Sequence, residues 1–208
     1  MAEAGTTKTA PGTRERLVRT ASRLMQHGGY ENTPVKQLVR EAEATLGSLY
    51  HFFPGGKQEL AVAAIHYGDE EFTELIRAGL DSHPDPAQAV EALAVLLAEA
   101  LEASQWRDGC PVTTTALETV GRVPELQEAC ARAFAHWQDL VTAKLVAAGH
   151  PEDEARDLAA TVINTLEGAE TSAQVTESRT PLLVAGRHLA RLVASYASPD
   201  GTGLHQPR

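Results

Sequence analysis

The sequence predicts an all-α fold of about nine helices: an N-terminal three-helix unit containing a helix-turn-helix, then a larger helical body. Apolar residues recur at three- and four-residue spacing along most of the 208 residues. Cap-and-proline pairs such as Thr33-Pro34 and Asp85-Pro86 punctuate them. No stretch alternates polar and apolar residues as a half-buried strand would.

Thr13 is expected to cap the first helix, with Leu17, Ala21, Leu24 and Met25 on its inner face and Gly28-Gly29 as its stop. Thr33-Pro34 opens a short second helix with Val35, Leu38, Val39 and Ala42 inward, ending near Glu43. Thr45 caps a third helix reaching about Phe52, and Pro54-Gly55-Gly56 breaks it ahead of a long helix from Lys57. Two short helices joined by a tight turn, with a third closing a small core, make a helix-turn-helix. In such a unit the second helix enters the major groove. Gly47 removes a side chain that would block close approach, Ser48 offers a hydroxyl, and Tyr50, His51 and Lys57 can donate to phosphates. Leu49 and Phe53 point to the core. A plain three-helix subdomain is the competing reading of this stretch.

The body continues with Ala61, Ile65, Gly68, Phe72, Leu75, Ile76 and Leu80 along the long helix, which links the two parts mechanically. A fifth helix begins at Asp85-Pro86, a sixth runs from about Pro111 to Val120, a seventh opens at Pro124 and stops at Gly149, and an eighth follows Pro151. Two apolar faces, Leu158/Val162/Ile163/Leu166/Ala169 and Leu182/Ala185/Gly186/Leu189/Leu192/Val193/Tyr196, suggest a four-helix bundle between two subunits. The rival use of these faces is closure of the chain's own core. The division expected is residues 10–56 for DNA, 57–198 for ligand and dimer contacts, and 199–208 as a disordered tail.

The formal charge of −10 is unevenly distributed. Residues 1–60 hold 8 Lys/Arg against 6 Asp/Glu and residues 61–208 hold 10 against 22, so a slightly basic end precedes an acidic body. Two cysteines, Cys110 and Cys130, are too few for a disulfide framework and lack metal-ligand spacing, so they are read as small buried apolar residues. No metal or cofactor is expected. The absence of a long apolar run or signal-like N-terminus implies a soluble cytoplasmic protein without a membrane partner. The sequence holds no HExxH, GxSxG or Walker-type loop, which argues against an enzyme.

The stretch GYENTPVKQLVREAEATLGSLYHFFPGGKQEL, residues 29–60, resembles the N-terminal domain of the TetR family of bacterial repressors. Thr33, Gly47, Tyr50, Phe53 and Lys57 fall on the family's pattern. The resemblance implies phosphate contacts from Thr33, Tyr50 and Lys57 with His51 beside them, and base contacts from Thr45, Leu46 and Ser48. Glu43 stands where the family usually has a turn glycine. A shorter match, GCPVTTTALE at residues 109–118, resembles the branch typified by LmrA and YxaF. The implied function is a homodimeric repressor of double-stranded operator DNA, released by a lipophilic or aromatic inducer. A helical small-molecule-binding protein with weak or no DNA binding is the alternative.

A ligand pocket is expected where large rings meet small polar groups. Its candidates are Phe72, Trp106, Cys110, Thr113, Thr114, Leu117, Phe134, Trp137, Asn164, Glu167 and Thr171. Glu167 and Glu170 are expected to be solvated or interface charges rather than partners of a cationic ligand.

Overall fold

The first helix, α1 (Thr13–Gly28), buries Leu17, Val18, Ala21, Ser22 and Met25 along one stripe. The computed structural model describes residues 11–196, so the expected C-terminal tail lies outside them. Thr13 does not cap α1: Gly12 occupies the cap position, and no side chain bonds to the free amides. Gly29, at φ 78°, ends the helix as expected, because a left-handed residue closes a helix at least cost when it has no Cβ.

α2 (Val35–Glu41) starts one residue later than the Thr33-Pro34 pair suggests. Pro34 is the cap residue, and the Thr33 hydroxyl turns back to donate to the Gly29 carbonyl at 2.7 Å. The helix also ends before Glu43, which takes a left-handed φ of 48° and reverses the chain. α3 (Leu46–Phe52) opens on a reciprocal capping box: Thr45 Oγ1 accepts from the Ser48 amide at 3.0 Å, and Ser48 Oγ accepts from the Thr45 amide at 2.9 Å. Leu38, Leu49 and Phe53, all at most 1% exposed, close the small core against Leu17 and Ala21.

α4 (Lys57–Asp81) runs out of this unit and packs on α1, α5 (Pro86–Ala103) and α7 (Pro124–Ala147). α6 (Thr113–Thr119) is shorter than expected and lies against both α7 and α1. α8 (Glu152–Thr176) and α9 (Thr180–Tyr196) complete an all-α order among the described residues.

The apolar faces of α8 and α9 mostly turn inward. Leu158, Val162, Ile163, Leu166, Leu182, Leu189 and Val193 are each at most 4% exposed within one chain. α9 makes its largest contact with α5, where a Cβ on Gly186 would stand 2.6 Å from the Ala94 Cβ, so only glycine permits the crossing. These residues close the chain's own core, which corrects the reading of them as a subunit interface. Another stripe faces outward: Thr161, Thr165, Gly168, Ser172 and Val175 on α8, with Val184, His188, Arg191 and Ser195 on α9.

Candidate nucleic-acid interface and ligand cavity

The outer surface of α3 is the candidate DNA-reading face. Leu46 is 47% and Tyr50 54% exposed, Gly47 and His51 are exposed, and the helix bears no acidic residue. Thr45 is exposed and Ser48 half-buried, both tied into the cap; Ser48 Oγ also donates to the Thr45 carbonyl and lies 3.1 Å from Thr45 Oγ1. Lys57 opens α4 with its Nζ 4.2 Å above the Tyr30 ring. Burial lowers its pKa, against the opposing pull of Glu31 and Glu118. Thr33 differs from the expected phosphate ligand: it is 1% exposed and its hydroxyl serves Gly29.

Sequence reasoning missed Arg16, which lies off the apolar stripe of α1. Its guanidinium donates to the Ala42 carbonyl at 3.0 Å and the Glu43 carbonyl at 3.2 Å, holding the turn between α2 and α3.

A cavity of about 190 Å³ lies beneath this unit, lined by Gln26, Gly68, Glu71, Phe72, Leu75, Leu97, Ala100, Asp108, Gly109, Pro111 and Glu170. It draws on α1, α4, α5, α8 and the segment before α6. Gln26 Nε2 donates to the Gly109 carbonyl at 2.6 Å, and His27 bonds the Asp108 carboxylate. The cavity wall is therefore also a junction between α1 and the body. A second junction lies at the far end of α6, where Glu118 accepts from the Glu31 amide at 3.1 Å and Arg122 pairs with Glu31 at 2.9 Å.

Of the ring and polar candidates named from sequence, Phe72 lines this cavity. Trp137 is one ring further in: it is fully buried, its centroid is 4.7 Å from that of Phe72, and its Nε1 donates to Asp69 at 2.8 Å. Phe134 packs edge-on against Trp137 at 5.2 Å. Trp106 is half-buried at the end of α5 with φ 62°. Leu117, 77% exposed, and the exposed Asn164 and Thr171 lie away from the cavity; Thr114 is half-buried on α6.

Cys110, Thr113 and Glu167 form a cluster behind the cavity. The Thr113 hydroxyl donates to Glu167 at 2.7 Å. Burial raises the Glu167 pKa, and the contacts with Thr113 and Cys110 oppose the shift. Glu170 is 4% exposed, its Oε2 is buried with no hydrogen-bond partner, and burial followed by repulsion from Glu167 pushes its pKa well up. This corrects the expectation of a solvated or interface charge for Glu170, while Glu167 is half-buried. The signal was in the sequence: Glu170 sits four residues after Leu166 and three before Ala173, on the buried stripe of α8.

Both cysteines are buried as expected. Burial pushes the Cys110 thiol well up and Cys130 to about 11, so neither is a ready nucleophile. Among the described residues no cluster of His, Cys, Asp or Glu is placed to hold a metal ion, and no helix is long and apolar enough to cross a membrane.

Residues 17–64 match the family described as bacterial regulatory proteins, tetR family, and residues 86–188 match that described as transcriptional regulator LmrA/YxaF-like, C-terminal domain. The chain is 34% identical over 171 residues to the HTH-type transcriptional regulator LmrA of Bacillus subtilis (strain 168), covering 82% of this chain and 90% of the relative. It is also 34% identical over 180 residues to the uncharacterized HTH-type transcriptional regulator YxaF of that organism, covering 86% and 94%. A TetR transcriptional regulator from Chloroflexus aurantiacus J-10-FL shares the fold at a TM-score of 0.73 and 29% identity, over 88% of this chain and 94% of the other. The regulatory protein TetR from Rhodobacter sphaeroides shares it at 0.74 and 22% identity, over 86% and 97%. The two curated relatives are named as regulators and not as enzymes. With both halves matched in order along one chain, this protein belongs to the TetR family of bacterial transcriptional regulators, with a DNA-binding helix-turn-helix ahead of an LmrA/YxaF-like C-terminal domain.

Proposed function

We propose that this protein is a homodimeric repressor that holds an operator through α3 of each subunit and releases it when a small lipophilic molecule enters the cavity bordered by Phe72. Residues up to 56 read DNA; the remainder binds the ligand and the second subunit. Tyr50, His51 and Lys57 contact phosphates, while Thr45, Leu46, Gly47 and Ser48 face base edges. The outward stripe of α8 and α9, small at Gly168 and Ser172, meets its own copy across a twofold axis.

The observation that carries the ligand switch is the shared wall: Gln26 lines the cavity and also bonds Gly109 at 2.6 Å. A molecule seated there presses on the segment that ties α1 to the body, and α4 runs from the same wall to Lys57. A cavity in the body without such a junction would have no means of moving the reading heads. By linkage the ligand releases DNA only as far as it prefers the DNA-incompetent arrangement, typically ~1–3 kcal/mol of coupling.

The test is to select duplexes that the protein retains from a random pool, confirm sequence-specific binding by fluorescence anisotropy, and titrate small aromatic compounds into the complex. Release by compounds that bind the free protein supports the reading. Tight, specific DNA binding that no bound compound alters refutes the switch, and an absence of DNA selectivity leaves a small-molecule-binding protein instead.

A further inference from the structure

The cavity has an apolar body and an acidic wall. Phe72, Leu75, Leu97 and Pro111 supply hydrocarbon, while Glu71, Asp108 and Glu170 supply three carboxyl groups, and the lining contains no lysine or arginine. Two of these acids have partners: the Tyr67 hydroxyl donates to Glu71 at 2.6 Å, and His27 bonds Asp108. Glu170 Oε2 has none, although it is buried. An unpaired carboxyl oxygen in such a place costs folding free energy, and here the neighbouring Glu167 makes its charge still less welcome. A ligand that brings a positive charge and an N–H to the cavity side of this carboxyl offsets that penalty.

We propose that the cavity is a site for a small arylalkylammonium ion, with its N–H donated to Glu170 and its ring packed against Phe72 and Leu75. A volume near 190 Å³ is a little larger than the ~150 Å³ that accepts one benzene ring, so a ring with a short aminoalkyl arm fits it. An ammonium with hydrogens suits the site better than a quaternary one, because a carboxylate accepts N–H hydrogen bonds. An anionic ligand of the same shape meets three carboxyl groups and no compensating cation. The wrong occupant is thus excluded by charge, and the neutral one forfeits the ion pair.

This inference rests on the reading of the cavity as the inducer site, and the two are tested separately. Binding of 2-phenylethylammonium, 2-phenylethanol and phenylacetate to the DNA-free protein is measured by calorimetry, for wild type, Glu170→Gln and Ala100→Phe. Wild type is expected to prefer the ammonium over the alcohol by about tenfold or more, with the carboxylate weakest. Glu170→Gln keeps the size and one acceptor but loses the charge, so it should lose about tenfold in ammonium affinity with little change for the alcohol. Ala100→Phe places a ring at the cavity rim and should weaken both, while retained alcohol binding guards against a Glu170 variant that merely unfolds. Equal affinity for ammonium and alcohol in wild type, or an ammonium affinity unchanged in Glu170→Gln, overturns the proposal. A second arm adds each compound to complexes of the protein with its selected duplexes. Ammonium that binds through Glu170 yet leaves DNA bound refutes the switch and not the site. Release by the alcohol with no ammonium preference refutes the site and leaves the switch standing.

Discussion

The guanidinium of Arg16 holds the backbone of Glu43: it donates to the Glu43 carbonyl at 3.2 Å and to that of Ala42, one residue earlier, at 3.0 Å. Glu43 occupies the left-handed region where glycine is usual, a strain of about 1 kcal/mol for a residue with a Cβ. Two charge-assisted hydrogen bonds from α1 offset it.

Arg16→Ala should therefore lower the stability of the protein by about 1–2 kcal/mol, and Glu43→Gly should raise it by up to about 1 kcal/mol. Urea denaturation of both variants reads this. Midpoints equal to wild type in the two would remove Arg16 as the keeper of the turn.

Tyr50 and Lys57 are assigned to phosphates. Lys57→Ala should weaken binding to specific and random duplexes alike and reduce the salt slope by about one unit. Ser48→Ala also removes half of a capping box, so it should destabilise α3 by about 0.5–1 kcal/mol as well as alter sequence preference. Anisotropy titrations across a salt series, on variants shown to be folded by circular dichroism, distinguish the roles. A slope unmoved in Lys57→Ala would place its ammonium on Tyr30 alone.

The inward packing of Leu189 changes what a charge there does. Leu189→Glu is expected to unfold the chain by burying an unpaired carboxylate, whereas Val184→Glu or Gly168→Arg, on the outward stripe, should give folded monomers. Sedimentation velocity with parallel circular dichroism decides this. Folded dimers in both outward variants would move the subunit contact elsewhere.

Stability should fall as pH rises through the acid range, because of Glu170. Its carboxyl holds a proton more tightly in the folded chain than its ordinary value of 4.5 allows, so the native state carries the extra proton above that value. Stability is fullest below 4.5 and is lost as pH climbs through the raised value, at up to about 1.4 kcal/mol per pH unit. Glu167, raised in the same direction, adds to the slope. Glu170→Gln should melt at higher temperature than wild type once the pH exceeds the raised value, and its melting temperature should decline less steeply as pH rises above 4.5. A melting profile parallel to wild type would mean that Glu170 finds a partner in solution.

Trp137 and Trp106 should report separately. The ring of Trp137 is fully buried, so in a Trp106→Phe variant the remaining emission should be blue-shifted and resist iodide quenching; Trp106 alone should be quenched. Trp137→Phe loses the hydrogen bond to Asp69 and leaves a void, a loss of about 2–3 kcal/mol. Equal quenching of both rings would contradict the buried position of Trp137.

Helix identity, the helix-turn-helix, the Thr45 cap and the breaks at Gly28-Gly29 and Pro54-Gly55-Gly56 were legible in the sequence, because they depend on residues within a turn or two of one another. Local chemistry sets them: a hydroxyl reaches an amide three residues on, and glycine tolerates a left-handed angle. The inward placement of Glu170 was equally visible in its spacing from Leu166 and Ala173, although its charge argued for the surface. Three other features were decided only by tertiary structure. The faces of α8 and α9 that read as a subunit contact are covered mainly by α7 and α5 respectively, since periodicity says that a face is apolar and not what covers it. Arg16 reaches Glu43 across 27 positions of chain. The cavity joins Gln26, Phe72, Gly109 and Glu170 from four separate segments. No periodicity encodes such a meeting, because distances between segments are set by how helices cross, and that crossing depends on every side chain packed between them.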